Sequence, residues 1–579
     1  MLLKKTFLEL KKNLKKSREG MKEVKIAILA DSSSQLLSQA LEGYGLEAGI
    51  SFRVFESDYD QIELQINDPD SELYRSESEY VVIFNSVHKL QQKFFNCPME
   101  ERNRFADACI EKIRVDLDTM FSRMKTRIIF LNFPFHNDSL FGNFSNSLDF
   151  SWTYQLRKLN FELMNLSISH TNFSIADVAQ LSSHAGDKET FDPRNYIYGD
   201  IIYTLDFYAL IAKSITEMIL VRTGKFKKCL ILDLDNTVWG GIIGDDGMEN
   251  IQLGDLGNGK AFNDLQRWAR ELKERGIILA VCSKNTEHIA KEPFEKHPDM
   301  VLKLDDIAVF VANWENKADN IRYIQSVLNI GFDSMVFLDD NPFERGIVKT
   351  YLPEITVPEL PEDPCEYMPF LRAMNLFETA SYSKEDAQRT RQYQEESVRE
   401  SLRRSFGSES EYLSNLDMTA EIRNFDAFSI PRVAQLSQRS NQFNLRTVRY
   451  SEDDLLQIAG SRDYCSFSVS LKDKFGDYGL IAVIVLRQTA PEELFIENWL
   501  MSCRVLKRGV ENLTLNTIVE AGKKIGAKKI IGSYIPTAKN GMVKDHYEKL
   551  GFEPAGENLW ELYTHSFVNR ENYITINSN

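Results

Sequence analysis

The sequence predicts an α/β protein in which two successive units with parallel sheets precede a third, α+β unit. The 579 residues exceed several-fold the ~100–200 that one domain usually contains. Apolar runs that suit buried strands alternate with helical patterns through the first two units, as strand–helix–strand connections require. In the third unit, strand patterns follow one another with few helices between them. Together these three observations predict parallel sheets in the first two units and an α+β arrangement in the last.

The order of these patterns divides the chain into five segments. We predict an N-terminal amphipathic helix, an α/β unit, a second α/β unit, a charged helical linker and an α+β unit, over residues 1–20, 21–220, 225–370, 371–409 and 410–579. The proline-rich run Leu352–Pro364 closes the second α/β unit, and the charged run Ser383–Arg404 after it is typical of a solvated helix.

Composition limits the classes of function. A net charge of -16 argues against a general nucleic-acid binder, because affinity for a phosphate backbone needs a basic surface. The seven cysteines lack CxxC pairs, so we expect neither a disulfide framework nor a structural zinc site, and a cytoplasmic location fits this use of cysteine. The N-terminus has no uninterrupted apolar stretch long enough for a signal peptide or a membrane span.

The first α/β unit carries a candidate site where its first strand ends. Its strand patterns cover Val24–Ala30, Tyr80–Phe84 and Arg127–Phe133. Asp31 and Ser32 follow the first of them, and this start resembles that of the SGNH-type hydrolases, whose serine is a nucleophile and whose fold is flavodoxin-like. The late Asp-x-x-His of those enzymes has its counterpart at Asp192, but Asn195 replaces the histidine. A serine without a base is a poor nucleophile, so we expect a binding or degenerate domain rather than a working hydrolase.

The run Cys229-Leu-Ile-Leu-Asp-Leu-Asp-Asn-Thr in the second α/β unit carries the strongest functional signal. Its apolar first half predicts a buried strand that delivers two carboxylates, Asp233 and Asp235, where the strand emerges. Alternation along an extended backbone places both on one side, with Leu234 turned away. Two carboxylates this close repel each other unless a cation or a shared proton lies between them. The pattern therefore indicates a site for chemistry on phosphate.

Other polar residues in this unit suit the steps of phosphoryl transfer. Ser283 and Lys317 are expected near the carboxyl ends of neighbouring parallel strands, where the ligands of such sheets bind. Asp233 would attack phosphorus to give an aspartyl-phosphate, and Asp235 would protonate the leaving oxygen and then activate water. Ser283 and Lys317 would hold the phosphate oxygens as charge develops.

The same edge is expected to bind a metal ion. Asp339 and Asp340 follow a third apolar strand pattern. Side chains of Asp233 and Asp339, with the backbone carbonyl of Asp235, would bind Mg²⁺ and offset the repulsion between acid and phosphate. We expect Asp340 to orient the metal's ligands rather than to bind the metal.

These clusters resemble the four motifs of the haloacid-dehalogenase (HAD) phosphatase superfamily. The longer run Asp233-Leu-Asp-Asn-Thr-Val-Trp-Gly-Gly, with Cys282-Ser-Lys-Asn285 and Phe337-Leu-Asp-Asp-Asn-Pro-Phe-Glu-Arg345, is similar to the FkbH-like group of subfamily IIIC. The resemblance implies a HAD-type Rossmann-like sheet and a Mg²⁺-dependent phosphatase. Relatives in polyketide assembly move a glyceryl group from bisphosphoglycerate, through an enzyme cysteine, to the phosphopantetheine arm of an acyl carrier protein. Cys282 and Cys503 are the candidates for that cysteine, although Cys282 equally fits as a small apolar residue.

The spacing within the second unit leaves no room for a separate cap domain. From Asp233 to Ser283 is 50 residues and from Ser283 to Lys317 is 34, and the sheet's own elements use most of both. An uncapped site admits bulky substrates and needs another domain or a partner to exclude water. This favours a carrier-linked or macromolecular substrate over a freely diffusing phosphorylated small molecule.

The third unit resembles the GCN5-related N-acetyltransferase (GNAT) fold. In that family a Q/R-x-x-G-x-G/A loop at a helix N-terminus binds the pyrophosphate of acyl-CoA. The corresponding loop here, Arg504-Val-Leu-Lys507-Arg508-Gly509, has lysine at the first glycine, so a phosphopantetheine arm fits as well as CoA. Tyr547 falls where many of these transferases have a general acid, and it equally fits as a packing residue.

Three functions are therefore open. The first is a Mg²⁺-dependent HAD phosphatase, with or without coupled acyl transfer to a carrier-protein thiol in a biosynthetic pathway. The second is a GNAT-type N-acyltransferase with a supporting HAD domain, and the third is a scaffold that binds a carrier protein. The intact acid, serine and lysine set favours the first, and Lys507 counts against the second.

Overall fold

The computed structural model describes residues 2–382, 389–403, 406–440, 442–537 and 539–577. Residues 383–388 and 404–405 of the predicted linker helix lie outside this part. The chain forms two compact units, Met1–Ile219 and Leu220–Asn579, and the second unit contains two sheets. None of the helices in the described residues combines the length and apolarity that crossing a membrane requires.

The sheet of the first unit is parallel throughout, in the order β2-β1-β3-β4-β5. Its strands are β1 (Lys22–Ala30), β2 (Ile50–Glu56), β3 (Tyr80–Phe84), β4 (Arg127–Leu131) and β5 (Phe173–Ala176). All residues of the central strand β3 are buried, as expected for a strand covered by helices on both faces.

Helices cover this sheet and complete the first unit. They are α1 (Phe7–Asn13), α2 (Gln35–Glu47), α3 (Ile62–Asn67), α4 (Glu72–Arg75), α5 (Val87–Asn96), α6 (Phe105–Arg123), α7 (Trp152–Ser169), α8 (Val178–Ala185), α9 (Asp187–Thr190), α10 (Pro193–Gly199) and α11 (Leu205–Arg222). The N-terminal helix is shorter than the predicted segment, and it begins at a capping box in which the Thr6 and Glu9 side chains each bond the other's backbone N–H. Leu10 packs on Gly43 of α2, where a β-carbon would lie 2.7 Å from the Leu10 carbonyl oxygen. Helix α1 therefore packs on its own unit.

The first sheet of the second unit is also parallel, in the order β8-β7-β6-β9. Its strands are β6 (Cys229–Leu232), β7 (Ile278–Ser283), β8 (Ile307–Ala312) and β9 (Met335–Leu338). The helices are α12 (Ile243–Asp246), α13 (Gly257–Glu274), α14 (Glu287–Lys296), α15 (Lys317–Leu328), α16 (Pro342–Tyr351) and α17 (Tyr367–Met374). Alternation along β6 sends Leu230 and Leu232 into one hydrophobic cluster and Cys229 and Ile231 into another, so both faces of the sheet are covered.

Helix α18 (Arg389–Arg403) joins this sheet to the mixed sheet of the same unit. The mixed sheet has the order β15-β16-β14-β13-β12-β11-β10-β17. Its strands are β10 (Met418–Asn424), β11 (Phe467–Asp473), β12 (Gly476–Ala490), β13 (Glu493–Met501), β14 (Lys529–Ser533), β15 (Glu553–Gly556), β16 (Leu559–Tyr563) and β17 (Ile574–Ile576). The helices are α19 (Glu409–Asn415), α20 (Ile430–Arg439), α21 (Glu452–Gly460), α22 (Val510–Lys524) and α23 (His546–Lys549).

The predicted fold class, α/β with parallel sheets followed by an α+β part, is confirmed. The segment boundaries themselves stay predictions. The six cysteines whose side chains are described are free thiols, in agreement with the expected lack of disulfides.

Candidate active site

The predicted acids, serine and lysine meet at the carboxyl edge of the parallel sheet in the second unit. Asp233 directly follows β6 and Asp339 directly follows β9, while Ser283 ends β7 and Lys317 begins α15 after β8. The Asp233 N–H donates to the Leu338 carbonyl at 2.9 Å, which keeps the two strand ends in register. Parallel strands bring these residues together although they are far apart in the sequence.

Lys317 forms the centre of the cluster. Its Nζ lies 2.9 Å from Asp233 Oδ2 and 2.6 Å from Asp339 Oδ2, and the three side chains are at most 8% exposed. Burial acts to lower the pKa of Lys317, but the charges of Asp233 and Asp339 outweigh it and raise the pKa. Lys317 is therefore a fixed positive charge at this edge.

Three carboxylates at this edge are close enough to share a metal ion. One oxygen from each of Asp233, Asp339 and Asp340 lies within 4.8 Å of the others. Asp233 Oδ1 is buried without a hydrogen-bond partner, which is costly unless a cation binds it. An all-oxygen set of this kind fits a hard divalent cation. The Asp340 carboxylate thus lies beside the two side chains that were predicted to bind the metal, whereas the contribution of the Asp235 backbone carbonyl stays a prediction.

Burial and mutual repulsion act on these acids in the metal-free protein. Burial, followed by the charge of Asp233, raises the pKa of Asp339 well above its usual range, although Lys317 acts to lower it. The same two causes raise the pKa of Asp340. A bound cation would favour the ionised form of each carboxylate.

Asp235 is held away from the other acids by neutral donors. Its Oδ1 accepts from Trp239 Nε1 at 2.9 Å and from the Ile243 N–H at 3.0 Å, and its Oδ2 accepts from Asn285 Nδ2 at 3.2 Å. Burial nevertheless raises the pKa of Asp235. A carboxyl with a raised pKa can hold the proton that a general acid donates.

Residues that the sequence did not single out fix the loop after β9. The Asp340 N–H donates to Thr237 Oγ1 at 3.0 Å. Arg345 donates to the carbonyls of Asp339 at 2.8 Å and of Asp340 at 2.6 Å. Thr237 and Arg345 stand in the quoted motifs, but their partners depend on loop geometry that spacing does not give.

The residues around the end of β7 differ in what they can do. Ser283 is buried beside the cluster, and Lys284 Nζ lies 2.6 Å from Glu344 Oε1. Cys282 points into the hydrophobic cluster that contains Ile231, and its thiol donates to the Lys317 carbonyl at 3.7 Å. Burial raises the pKa of Cys282, so its surroundings do not favour the thiolate that an acyl-carrying cysteine needs. The side chain of Cys503 lies outside the described part of the chain.

No inserted domain covers this edge in the described residues. Between Asp235 and Ser283 the chain forms α12, α13 and a bridge that pairs Gly240 with Gln252 before it enters β7. Within the described residues, these elements account for the whole stretch between Asp235 and Ser283.

The predicted site of the first unit lacks an activated serine. Asp31 Oδ1 accepts from the Ser86 N–H at 2.8 Å, and burial raises the pKa of Asp31 to about 6. Ser32 Oγ is buried without a hydrogen-bond partner. Asp192 caps α10 by accepting from the backbone N–H groups of Arg194 and Asn195. Within the described residues, Ser32 Oγ therefore contacts neither Asp31 nor Asp192 by a hydrogen bond, and its reactivity stays a prediction.

The residues predicted to bind an acyl carrier are engaged within the protein. Arg508 Nη1 donates to the Tyr478 hydroxyl at 2.6 Å and lies 3.9 Å from Asp473 Oδ2. Arg504 donates to Ser502 Oγ at 3.3 Å. Tyr547 is 1% exposed and stacks on Trp560, and burial raises its pKa. These surroundings favour a packing role for Tyr547 over the role of a general acid.

The loop before α22 is also unlike an anion site. Gly509 has φ +81° at the N-terminus of the helix. Lys507 has φ +63°, a backbone conformation that residues other than glycine rarely adopt. The Lys507 N–H donates to Glu511 Oε1 at 3.0 Å, which places a carboxylate at the helix end where a pyrophosphate would bind.

Part of the chain fills the gap between β13 and β14. These parallel strands pair only over Glu493–Phe495, and beyond it Phe443–Leu445 inserts. The Leu445 N–H donates to the Trp499 carbonyl at 3.1 Å and the Ile535 N–H donates to the Leu445 carbonyl at 2.8 Å. We refer to Phe443–Leu445 as the inserted segment. It occupies the opening in which an extended ligand would otherwise lie.

Comparisons with known proteins find matches to the part of the chain that forms the first two sheets. Residues 25–220 match the family model described as FkbH, N-terminal domain. The chain is similar to the crystal structure of the N-terminal part of the protein BF1531 from Bacteroides fragilis, which contains a phosphatase domain and is complexed with Mg. That likeness has 50% identity and a TM-score of 0.63, and it covers 65% of this chain and 100% of that chain. No curated protein matches the chain.

Smaller parts of the chain are similar to acetyltransferases. The Escherichia coli ribosomal-protein-S18-alanine N-acetyltransferase is 17% identical, with a TM-score of 0.20. The match covers 25% of this chain and 91% of the acetyltransferase. Ard1 from Thermoplasma volcanium is 15% identical, with a TM-score of 0.20. The match covers 25% of this chain and 95% of Ard1. Because these TM-scores are low, the mixed sheet is described by its strand order alone.

Proposed function

Because the chain belongs to the family of FkbH-like proteins with a phosphatase domain, we propose that the second α/β segment is a HAD-type phosphatase that uses Mg²⁺. The observation that carries this proposal is the cluster of acids around Lys317, in which Asp233 Oδ1 is buried without a hydrogen-bond partner. The related Bacteroides fragilis structure, which holds Mg, supports the choice of metal. Asp233, Asp339 and Asp340 would hold the ion, which supplies positive charge to the phosphate oxygens.

The side chains support a two-step displacement. Asp233 attacks phosphorus and forms an aspartyl-phosphate while the bond to the leaving oxygen breaks, and Asp235 gives that oxygen its proton. Asp235 then takes a proton from water, which attacks the same phosphorus, releases inorganic phosphate and restores Asp233. Lys317 and Ser283 hold the phosphate oxygens throughout.

Hydrolysis of an aryl phosphate with Mg²⁺ tests this mechanism. Asp233→Asn removes the nucleophile with little change in shape, so kcat should fall by about 10³-fold or more. Asp245→Asn is the matched control, because Asp245 is an exposed carboxylate on the neighbouring α12, and its kcat should equal that of the wild type. Equal rates for wild type and Asp233→Asn would refute the aspartyl-phosphate.

We also propose that the phosphate arrives on a carrier protein or another macromolecule. Support comes from two large aromatic residues at the same edge, Trp314 in the loop before α15 and Phe343 in the first turn of α16, which are 74% and 69% exposed. Exposed aromatic residues around an uncapped site suit contact with a large partner. We propose neither a CoA site nor a phosphopantetheine site in the third unit, since Glu511 and the inserted segment occupy the places that pyrophosphate and pantetheine take in the GNAT fold.

Acyl transfer is the finer part of this proposal and rests on the resemblance to FkbH-like proteins. Incubation of the enzyme with bisphosphoglycerate and a carrier protein, followed by mass spectrometry, tests it. A mass gain of a glyceryl group on the carrier would support transfer. No gain on enzyme or carrier would leave the phosphatase and remove transfer.

A kinetic comparison tests the macromolecular substrate. Trp314→Ala should raise KM for a phosphorylated carrier protein by about tenfold and leave kcat/KM for the aryl phosphate unchanged. Tyr323→Ala, at another exposed aromatic residue on α15, is the control. Equal KM values for the carrier in wild type and Trp314→Ala would count against this substrate class.

A further inference from the structure

Helix α7 of the first unit has apolar side chains on two opposite faces. One face is buried against the rest of the unit and carries four leucines: Leu156, Leu159, Leu163 and Leu166. The opposite face exposes four large apolar side chains, each between 42% and 83% exposed: Tyr154, Phe161, Met164 and Ile168. Together with Arg157 they follow the alternating three- and four-residue spacing of a seam between two packed helices. We call these five exposed residues the α7 stripe.

The loop before α7 adds apolar side chains next to the α7 stripe. The Arg157 guanidinium lies over the Phe135 ring, 5.7 Å from the ring centroid, and Arg157 Nη1 donates to Asn146 Oδ1 at 2.6 Å. The loop that these contacts hold beside α7 exposes three further large apolar side chains: Phe135, Leu140 and Phe144. The exposed apolar surface therefore includes both the loop and the helix.

This surface is larger than the apolar patches that monomeric proteins usually expose. Seven large apolar side chains that are about half exposed present on the order of 700 Å² to solvent. The largest apolar patch of a typical monomer covers ~300–600 Å², and each partner contributes ~800 Å² to a standard protein–protein interface. The size of the surface therefore fits one side of such an interface.

The α7 stripe is symmetric about Phe161, and this symmetry indicates the partner. Tyr154 and Ile168 each lie seven residues from Phe161, so the stripe is about 21 Å long with Phe161 at its centre. A second α7 that packs antiparallel about a twofold axis at Phe161 would place Ile168 of the second copy against Tyr154. Phe161 would pack against Phe161 of the second copy. The surface is therefore complementary to itself, as an interface with twofold symmetry requires.

The charged residues of α7 are compatible with an antiparallel pair. In that arrangement Arg157 would face Asn165 of the second copy, and Glu162 of the second copy would lie within one helical turn of it. Lys158 has a partner in its own copy, since its Nζ lies 2.7 Å from Asp107 Oδ2. A parallel pair in register would instead place Arg157 beside Arg157 of the second copy, which like-charge repulsion disfavours.

We propose that the α7 stripe and the loop beside it form the interface of a homodimer, in which two copies of α7 pack antiparallel about a twofold axis at Phe161. The same surface of both copies would be buried, so the pairing closes at two chains. This inference is independent of the proposed phosphatase, whose acids lie in the second unit.

Analytical ultracentrifugation of the full chain tests the oligomeric state. At about 50 µM, a dissociation constant in the micromolar range still leaves mostly dimer, so the wild type should have twice the 66.7 kDa mass of one chain. Phe161→Glu places two carboxylates opposite each other at the twofold axis, and this variant should have the mass of one chain. Leu8→Glu, at an exposed leucine on α1, is the matched control and should stay dimeric.

A cysteine at the axis tests the arrangement of the two helices. Phe161→Cys brings two thiols together where the helices cross, so mild oxidation should link the two chains on a non-reducing gel. Leu8→Cys and the wild type control for links through the exposed Cys365. Far-UV circular dichroism verifies that each variant is folded.

Three results would each overturn the proposal. A monomeric wild type would assign the surface to another protein. A folded Phe161→Glu variant that stays dimeric would place the interface elsewhere on the chain. A Phe161→Cys variant that links no more than Leu8→Cys does would show that the two copies of Phe161 do not meet at an axis.

Discussion

At the scale of single residues, the acid cluster is organised by one lysine. Lys317 contacts both Asp233 and Asp339, and all three side chains are nearly inaccessible to solvent. A buried carboxylate pair without this ammonium would be strongly unfavourable, since each charge has lost its water. Lys317 is therefore needed to assemble the acid cluster, in addition to the phosphate contact proposed for it.

Replacement of Lys317 by methionine should affect both stability and catalysis. Loss of one partner of a buried ion pair costs about 3–5 kcal/mol of unfolding free energy, and loss of the phosphate contact should reduce kcat by about 100-fold. Denaturant unfolding and aryl phosphate kinetics measure the two effects. Lys296→Met breaks an exposed pair on α14 and should change stability by less than about 1 kcal/mol. Wild-type kinetics for Lys317→Met would contradict its role.

Cys282 should be a structural thiol. Its side chain is fully buried and burial raises its pKa, so alkylation of the native protein at pH 8 should leave it unmodified. The exposed Cys365 is the internal comparison. Peptide mass spectrometry after iodoacetamide treatment, with and without denaturant, reads both sites. Rapid native modification of Cys282 would revive it as an acyl carrier.

At the scale of elements, central strands could be predicted more completely than edge strands. The pattern of β6 predicts Cys229–Leu232, as observed, because a strand covered on both faces is apolar throughout. Strands β2 and β5 were not predicted, since they are edge strands in which polar residues interrupt the pattern. Strand β8 is an apolar run, Ile307–Ala312, that the same criterion could have found.

The same limit applies to the site. Asp233, Lys317 and Asp339 could be predicted to meet, because the carboxyl ends of parallel strands form one edge. The bonds from Trp239 and Asn285 to Asp235 could not, since they depend on the conformation of the loops after β6 and β7. The position of Asp340 beside Asp233 and Asp339 could not be predicted either, because it depends on the conformation of the loop after β9.

Helix α18 is tied to the mixed sheet by a buried ion pair. Arg399 donates to both carboxylate oxygens of Asp473 at 2.8 Å, and Arg399 is 1% exposed. Arg399→Leu should lower the unfolding free energy by about 3–5 kcal/mol, because Asp473 would stay buried without its partner. Arg391→Leu, on the exposed side of α18, should change it by less than about 1 kcal/mol. Denaturant unfolding compares them, and equal midpoints would contradict a structural role for the pair.

At the scale of the whole molecule, the acid cluster is complete within one sheet. Its residues lie between Asp233 and Arg345, and none comes from the mixed sheet. The acid cluster therefore does not depend on side chains of the mixed sheet.

This separation predicts the behaviour of a shortened chain. A protein that ends at residue 403, after α18, should hydrolyse the aryl phosphate with a kcat/KM within about threefold of the full chain, because no residue of the cluster is lost. Steady-state kinetics, with circular dichroism to verify folding, provide the measurements. Loss of hydrolysis in a folded truncation would show that the third domain completes the site.

The inserted segment has a consequence for how the mixed sheet exchanges its backbone protons. Any molecule that enters between β13 and β14 must replace the hydrogen bonds that Leu445, Met501 and Ile535 donate or receive there. These amides should therefore exchange slowly and together in the free protein. A ligand that opens the sheet at this point would be recognised by joint loss of their protection.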